Sequence, residues 1–300
     1  MPKAPANVPP KNIAASVRER LLNHARARDQ PFDLVLTRYA LERLLYRLGR
    51  SPVAHRFVLK GAMLVMTWFE ALHRGTRDLD LLGFGDPDPD ALIAVFRAVM
   101  AQPEDDGLTF DAAGLRAEPI REDIEYGGVR LRTRASLAGA QIAINIDIGF
   151  GDAIEPGAEI IDYPVLLDQP QPRLRAYARE TVVAEKFQAM VALGRANSRM
   201  KDFFDIWGLS KAHTFDSDRL ARAIAATFER RGTAVPVEAP DALTPAFAAD
   251  AAKQTQWRAF TTDLELAPPT LDVVIAELAD FLMPFARAAR GSGASVGPPK

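Results

Sequence analysis

Two segments near the N-terminus place apolar residues at the spacing of an amphipathic helix. In the first, Ile13, Val17 and Leu21 lie four positions apart, which predicts a helix over residues 13–28. A second helix is predicted over residues 34–48. Both segments carry arginines outside the apolar stripe.

A pattern typical of strands begins further along the chain. A short apolar run at residues 57–59 predicts a strand, and after Lys60 and Gly61 a helix is predicted over residues 62–72. Residues 78–82 alternate aspartate with leucine. Because side chains alternate between the two faces of a strand, the two aspartates share one face.

Two longer segments also alternate with period two. Residues 129–134 alternate apolar residues with arginine, and residues 141–148 alternate isoleucine with Ala143, Asn145 and Asp147. These patterns predict neighbouring antiparallel strands with one polar face. A helix is predicted before them, over residues 91–100.

The C-terminal half is predicted to be helical. Helices are predicted over residues 181–193, 200–212, 217–231 and 270–290, with a proline-rich loop at residues 232–245. The fold class is therefore α/β (α+β), with a small mixed sheet, helices before it and a helical bundle after it. The predicted organisation is a disordered arm at residues 1–12, N-terminal helices and core at 13–172, a helical domain at 173–290 and a flexible tail at 291–300.

Composition excludes several classes of protein. The 300 residues are 48% hydrophobic and 25% charged and include no cysteine, as in a globular protein of a reducing cytoplasm. No run approaches the roughly 20 apolar residues of a membrane span, and the first residues are polar and proline-rich. We therefore expect a cytoplasmic protein with no membrane partner.

The net charge of -2 conceals an uneven distribution. Residues 1–60 hold twelve Lys or Arg against four Asp or Glu, and residues 173–201 hold seven against two. Such islands suit a polyanionic partner, but arginines that merely solvate a helical face give the same pattern. The sequence leaves both interpretations open.

Three carboxylates are candidates for a metal site. Asp78 and Asp80 project from one strand face about 7 Å apart, and Asp147 projects from the polar face of another strand. If the strands are neighbours, the three carboxylates can cluster. They then suit Mg²⁺, which prefers hard oxygen ligands and phosphates. The alternative is that they are solvated strand ends.

The turn before these acids is a candidate phosphate site. Here a predicted strand is followed by Lys60 and Gly61 and then by the start of a helix. Such a turn offers a phosphate backbone N–H groups and the positive end of a helix dipole. Arg74 and Thr76 lie between this turn and the acids and are candidate triphosphate ligands. A simple strand-to-helix turn is the alternative.

A second group of charges lies in the helical half. Lys186 interrupts an apolar helix, and Asp202 and Asp205 lie three positions apart on the next helix. Either these residues take part in chemistry or they form an ion-pair network. The pattern alone does not separate the two.

Four motifs in order resemble the AbiEii/AbiGii nucleotidyltransferase toxins of type IV toxin–antitoxin and phage abortive-infection systems. The motifs are LKGAMLV, HRGTRDLDLLG, INIDIGFGD and AEKFQAMVALGRANSRMKDFFDIW, within residues 55–212. The resemblance implies a DNA polymerase-beta-like nucleotidyltransferase core that uses Mg²⁺ and a nucleoside triphosphate. It implies nucleotide binding for Gly61 and Lys186, metal binding for Asp78, Asp80 and Asp147, and catalysis for Asp80, Lys186 and either Asp202 or Asp205. Lys60, Arg74 and Thr76 stay candidates for nucleotide binding from their positions around the turn and before the acid pair.

The resemblance also implies a target and a partner. Similar toxins add nucleotides to the 3′ acceptor end of tRNA, which blocks translation, and a separately encoded antitoxin (AbiEi-like) restrains them. RNA contacts are expected at Arg18, Arg26, Arg195 and Arg199. One departure is Ala62, which stands where nucleotidyltransferases commonly have serine; it puts the nucleotide geometry in doubt.

Two other functions stay open from the sequence. One is transfer of a nucleotide to a protein hydroxyl or a small molecule. The other is an inactive protein that keeps the fold and binds RNA or an antitoxin. The choice of nucleotide, acceptor and oligomeric state is not encoded in any pattern we recognise.

Overall fold

A computed structural model describes residues 12–69, 75–120, 127–262, 264 and 268–293. Almost all of the predicted N-terminal arm and most of the predicted C-terminal tail lie outside these residues.

Helices and strands alternate in the first half of the chain, and helices dominate the second. The first elements are α1 (Ile13–Ala27), α2 (Phe32–Arg50), β1 (Phe57–Lys60), α3 (Gly61–Val65), β2 (Asp78–Gly83), α4 (Pro89–Met100), β3 (Leu108–Phe110), β4 (Arg116–Ile120), β5 (Gly128–Leu137) and β6 (Ala140–Phe150). The later elements are β7 (Ala158–Asp162), β8 (Arg173–Tyr177), α5 (Arg179–Leu193), α6 (Met200–Ala212), α7 (Ser217–Arg230), α8 (Pro245–Ala248), α9 (Ala251–Thr261) and α10 (Leu271–Gly293).

The chain divides into two compact units. The first unit comprises Met1–Phe57, Gly75–Phe150 and Ile160–Arg175. The second unit comprises Val58–Arg74, Gly151–Glu159 and Ala176–Lys300. The predicted domain boundaries stay a prediction.

A mixed sheet forms the centre of the first unit. Strand β6 lies between β5, to which it is antiparallel, and β2, to which it is parallel. Strands β3 and β4 pair with the two halves of β5 on its other edge. The predicted antiparallel pairing of the two long alternating strands is confirmed.

One face of this sheet is apolar and the other is polar. Ile142, Ile144, Ile146 and Ile148 of β6 are at most 3% exposed, on the face against which α1 and α2 pack. Burial of these side chains stabilises the fold by about 1.5–3 kcal/mol each. The alternating partners, among them Asp147, therefore line the opposite face.

Two arginines of α2 are buried rather than solvated. Arg43 and Arg47 are 1% and 2% exposed, and their guanidinium nitrogens lie 3.3 and 2.5 Å from the carboxylate of Asp106. Arg43 also donates to the carbonyl oxygen of Pro170. Part of the N-terminal positive charge therefore belongs to a buried ion cluster. These two arginines neither solvate a helical face nor lie open to a polyanionic partner.

Glu42 is another buried ionisable residue on α2. Its carboxylate accepts hydrogen bonds from Arg38 and from the backbone N–H of Leu166. Burial outweighs these interactions and raises the pKa of Glu42 to about 7. The group therefore titrates in the neutral range.

The second unit is mainly a bundle of helices. Helix α5 packs against α6 and α7, and α10 packs against α6, α7 and α8. Strand β8 runs parallel to β1, with Ala176 opposite Leu59. The predicted α/β class, with a mixed sheet and a helical C-terminal half, is confirmed. Within the described part of the chain, no helix has the length and apolar character needed to cross a membrane.

Several predicted elements differ from those observed. The helix predicted over residues 62–72 is only α3 and a following 3-10 turn, Met66–Trp68; residues 70–74 lie outside the described ranges. The short strands β3, β4 and β8 escaped prediction because three to five residues are too few to show a period and, unlike β1, these strands have no continuous apolar run. Helix α9 escaped prediction as well.

Candidate functional site

The three predicted metal ligands share the polar face of the first unit's sheet. The parallel register of β2 and β6 sets Asp80 opposite Asp147 and Asp78 opposite Asn145. The amide of Asn145 donates to Asp78 Oδ1 over 3.1 Å, which orients that carboxylate. The sequence had predicted this juxtaposition only on the condition that the strands are neighbours.

Arg130 is a residue of this site that the sequence analysis did not assign. Its Nε and Nη2 donate to the two carboxylate oxygens of Asp147, both over 2.6 Å. This hydrogen-bonded pair raises the pKa of the guanidinium above its ordinary value, and the nearby Asp78 and Asp80 add to the effect. The alternation of arginine along residues 129–134 was the available signal, because it places Arg130 on the face of the acids.

The donor set suits a divalent cation in its chemistry. Asp78, Asp80 and Asp147 are half-buried carboxylates on adjacent strands of one face, and Mg²⁺ prefers such hard oxygen ligands. The side chains of the described residues do not gather three or more His, Asp or Glu closely enough to hold a metal ion, and Asp147 is engaged by Arg130. Their role as metal ligands stays a prediction.

The turn between β1 and α3 requires its glycine. Gly61 has φ 69°, a left-handed conformation that costs other residues about 1–2 kcal/mol. This conformation explains the glycine of the first motif without reference to a ligand. A nucleotide-binding role for Gly61 remains a prediction.

Lys60, next to this glycine, lies in an ion network of the second unit. Its Nζ is 2.8 Å from Asp152 and 3.3 Å from Glu185, and Arg231 lies 2.9 Å from the other oxygen of Asp152. Tyr177 donates to Glu185. The ammonium group of Lys60 is therefore compensated by protein carboxylates.

In this network, burial and ion pairing shift the pKa values of the charged groups in opposite directions. Burial alone would raise the pKa of Asp152, but Lys60 and Arg231 outweigh it and lower the value to about 2. Burial would lower the pKa of Lys60, but Glu185, Tyr177 and Asp152 raise it well above its ordinary value. Both groups are therefore charged at neutral pH.

The two remaining candidates for nucleotide binding lie before β2. The hydroxyl of Thr76 donates to the carbonyl oxygen of Asp78 over 3.3 Å and accepts from its N–H over 3.4 Å. These contacts shape the start of the strand that carries the acid pair. Arg74 lies outside the described residues.

Lys186 lies in a pocket formed by two buried aspartates of the second unit. Its Nζ is 2.6 Å from Asp202 and 3.0 Å from Asp205, and both aspartate side chains are fully buried. Arg199 approaches the second oxygen of Asp202 at 2.8 Å. The lysine side chain keeps 13% of its surface exposed, so its charge is held in a defined position near the protein surface.

The four predicted RNA-binding arginines have different surroundings. Arg26 is exposed, whereas Arg18 is half-buried and stacks over Phe32 at 5.5 Å. Arg195 is half-exposed and pairs with Asp241 at 2.9 Å, and Arg199 pairs with Asp202. Their role toward RNA stays a prediction.

Three solved structures are similar to this chain at low sequence identity. A candidate nucleotidyltransferase from H. pylori is 17% identical, with 94% of this chain and 99% of that chain covered and a TM-score of 0.48. JHP933 from Helicobacter pylori is 17% identical, with 92% and 96% covered and a TM-score of 0.49. An antigenic nucleotidyltransferase-like protein from Paracoccidioides brasiliensis is 13% identical, with 79% and 91% covered and a TM-score of 0.36.

The sequence itself carries the assignment to a family. No curated protein sequence matches this chain. A family model described as nucleotidyl transferase AbiEii toxin, type IV TA system, matches residues 43–282, which include the acid pair of β2, Asp147 and the Lys186 pocket. The chain therefore belongs to the AbiEii family of nucleotidyltransferase toxins of type IV toxin–antitoxin systems.

Proposed function

We propose that this nucleotidyltransferase transfers nucleotides, with Mg²⁺, from a nucleoside triphosphate to RNA. The proposed acceptor is the 3′ end of tRNA in the cytoplasm, and the consequence is a block of translation. The observation that carries the proposal is the register that sets Asp80 opposite Asp147, beside Asp78, on the polar face of one sheet. Family membership supplies the reaction class.

In this proposal Asp78, Asp80 and Asp147 hold the divalent cation. When bound, such a cation neutralises phosphate charge and stabilises the oxygens that attack and leave. Asn145 keeps the Asp78 carboxylate oriented through its 3.1 Å hydrogen bond. Arg130, hydrogen-bonded to Asp147, sets the direction of the third carboxylate.

Lys186 is proposed to neutralise charge on the triphosphate. Asp202 and Asp205 act on it as positioning residues, because their buried carboxylates restrain its ammonium group at 2.6 and 3.0 Å. A restrained cation loses little conformational freedom when it meets a phosphate. A cognate antitoxin protein is the proposed restraint on the toxin.

The test is nucleotide labelling of deproteinised tRNA. Purified protein with Mg²⁺ and each of the four α-labelled nucleoside triphosphates is expected to label the tRNA. Asp80→Ala should abolish labelling, and the matched control Asp162→Ala, at an exposed position of β7, should not.

Two results would contradict the proposal in different ways. Labelling of protein in an extract but not of RNA would establish a protein acceptor instead. RNA binding with no labelling by any nucleotide, unaffected by Asp80→Ala, would indicate an inactive binding protein.

A further inference from the structure

A strip of arginines lies on the same sheet face as the acid pair. The register sets Arg116 of β4 opposite Arg132 of β5, and Arg132 opposite Asn145 of β6, which in turn is opposite Asp78. Cross-strand partners project from one face, and positions two apart on a strand share it. Arg134 therefore extends the same face along β5. We call Arg116, Arg132 and Arg134 the arginine strip.

The arginine strip is exposed and only weakly compensated. All three residues are exposed, and within the described part of the chain only Arg132 makes an ion pair, with Glu118 at 3.4 Å. Both side chains of that pair are half-exposed, and solvent screens an ion pair of this kind so that it contributes little to stability.

The fold gives no reason for this concentration of positive charge. Arg116 and Arg132 stand directly opposite each other, and like charges in that arrangement destabilise a sheet. The guanidinium of Arg130, by contrast, is paired with both carboxylate oxygens of Asp147. The strip therefore has the character of a surface for a polyanion rather than of an internal salt-bridge network.

We propose that the arginine strip binds the phosphate backbone of the RNA acceptor, upstream of the end that receives the nucleotide. The inference rests on the proposed function, because it takes the acid pair as the point of transfer. Arg132 and Arg134 are about 7 Å apart along β5, and Arg116 is about 5 Å away on the next strand. Successive phosphates of an RNA strand can engage all three arginines.

The geometry also gives the RNA a direction. On β5 the residue opposite Asp147 is Arg130, and the strip continues from there toward Arg134. The 3′ end lies at the carboxylates, and the preceding phosphates lie over Arg132, Arg116 and Arg134. The sequence predicted RNA contacts elsewhere, including Arg18 and Arg26.

The test compares RNA affinity across a salt series for three variants of the full chain. The strip variant is Arg116→Gln/Arg132→Gln/Arg134→Gln. The matched control removes three exposed helical arginines, Arg222→Gln/Arg258→Gln/Arg287→Gln. The third variant is Arg18→Gln/Arg26→Gln. The probes are a fluorescein-labelled oligoribonucleotide and total tRNA, with fluorescence anisotropy as the readout and circular dichroism as the check of folding.

The strip variant should bind RNA on the order of tenfold more weakly than the wild type at about 50 mM salt. The slope of the logarithm of the binding constant against the logarithm of the salt concentration should become shallower by about 2, because each of the three lost phosphate contacts contributes about 0.7. The control should bind as the wild type does. Unchanged RNA binding by the strip variant, or a loss confined to Arg18→Gln/Arg26→Gln, would overturn the inference. An unaffected strip variant would point to an acidic protein partner for this face.

Failure of the proposed function would look different. If the wild type labels no RNA with any nucleotide, the transfer reaction is refuted, yet the strip variant's loss of RNA binding would still establish the surface. If the wild type labels tRNA and the strip variant binds it equally well, the surface is refuted and the reaction stands.

Discussion

Removal of the Lys186 side-chain charge should destabilise the fold severely, apart from any effect on catalysis. Lys186→Met keeps the length of the side chain but leaves the carboxylates of Asp202 and Asp205, both fully buried, without the ammonium group at 2.6 and 3.0 Å. Breaking a buried ion pair by removing one partner costs about 3–5 kcal/mol, because the other charge stays in the interior.

The magnitude can be measured by urea unfolding, followed by circular dichroism. With an m-value of about 3 kcal/mol/M, the expected loss moves the midpoint down by about 1–1.7 M urea. The matched control is Lys201→Met, which removes an exposed lysine next to Asp202 on α6. It should change the free energy of unfolding by less than about 0.5 kcal/mol.

A compensated variant separates the two roles of the lysine. Lys186→Met/Asp202→Asn/Asp205→Asn removes all three charges, so most of the lost stability should return. This folded variant should still fail to label tRNA if Lys186 acts on the triphosphate. A loss below about 1 kcal/mol for Lys186→Met, or no recovery in the triple variant, would refute the reasoning that the pocket is a charge-compensated unit.

Three further predictions concern the fold. Glu42→Gln should become more stable relative to wild type as pH rises from 5 to 8, by about 2–3 kcal/mol in urea unfolding. The pKa of Glu42 is raised from 4.5 to about 7 by folding, so between these values the unfolded wild type releases its proton before the folded one and the wild type loses stability. Parallel pH profiles of the two proteins would contradict this. Asp106→Ala should lower the free energy of unfolding by about 3–5 kcal/mol in the same assay, since the buried Arg43 and Arg47 lose their counter-charge. A loss below about 1 kcal/mol would exclude Asp106 as the compensating charge. Gly61→Ala forces an alanine to a φ of 69° and should lower the stability by about 1–2 kcal/mol in thermal unfolding. Gly127→Ala, whose Cβ meets nothing within 4 Å, should have little effect. Equal losses of stability in the two variants would argue against strain at the turn.

Local pattern was enough to predict most of the elements and the faces of the strands. The isoleucine alternation of β6 and the aspartate alternation of β2 assign each side chain to a face, because the period of a strand is two. The helices with long apolar stripes, such as α1 and α7, were predicted to within a few residues. Strands of three to five residues, such as β3 and β8, leave too short a pattern.

The surroundings of charged residues could not be predicted in the same way. Lys60 lies in an ion network with Asp152 and Glu185, 92 and 125 positions away in sequence. Arg43 meets Asp106 across 63 positions. No periodicity encodes such pairs, since they depend on which segments the folded chain brings together.

The sequence by itself determined that the acids of β2 and β6 project from polar strand faces, and that residues 129–134 carry arginine at every second position. Only the tertiary structure decided that β6 lies between β2 and β5 and that Arg130 binds Asp147. It also decided that the arginine strip stays exposed while Arg43 and Arg47 of α2 are buried. The physical reason is that side-chain direction is a local property of the backbone, whereas burial and pairing of a charge depend on groups contributed by distant parts of the chain.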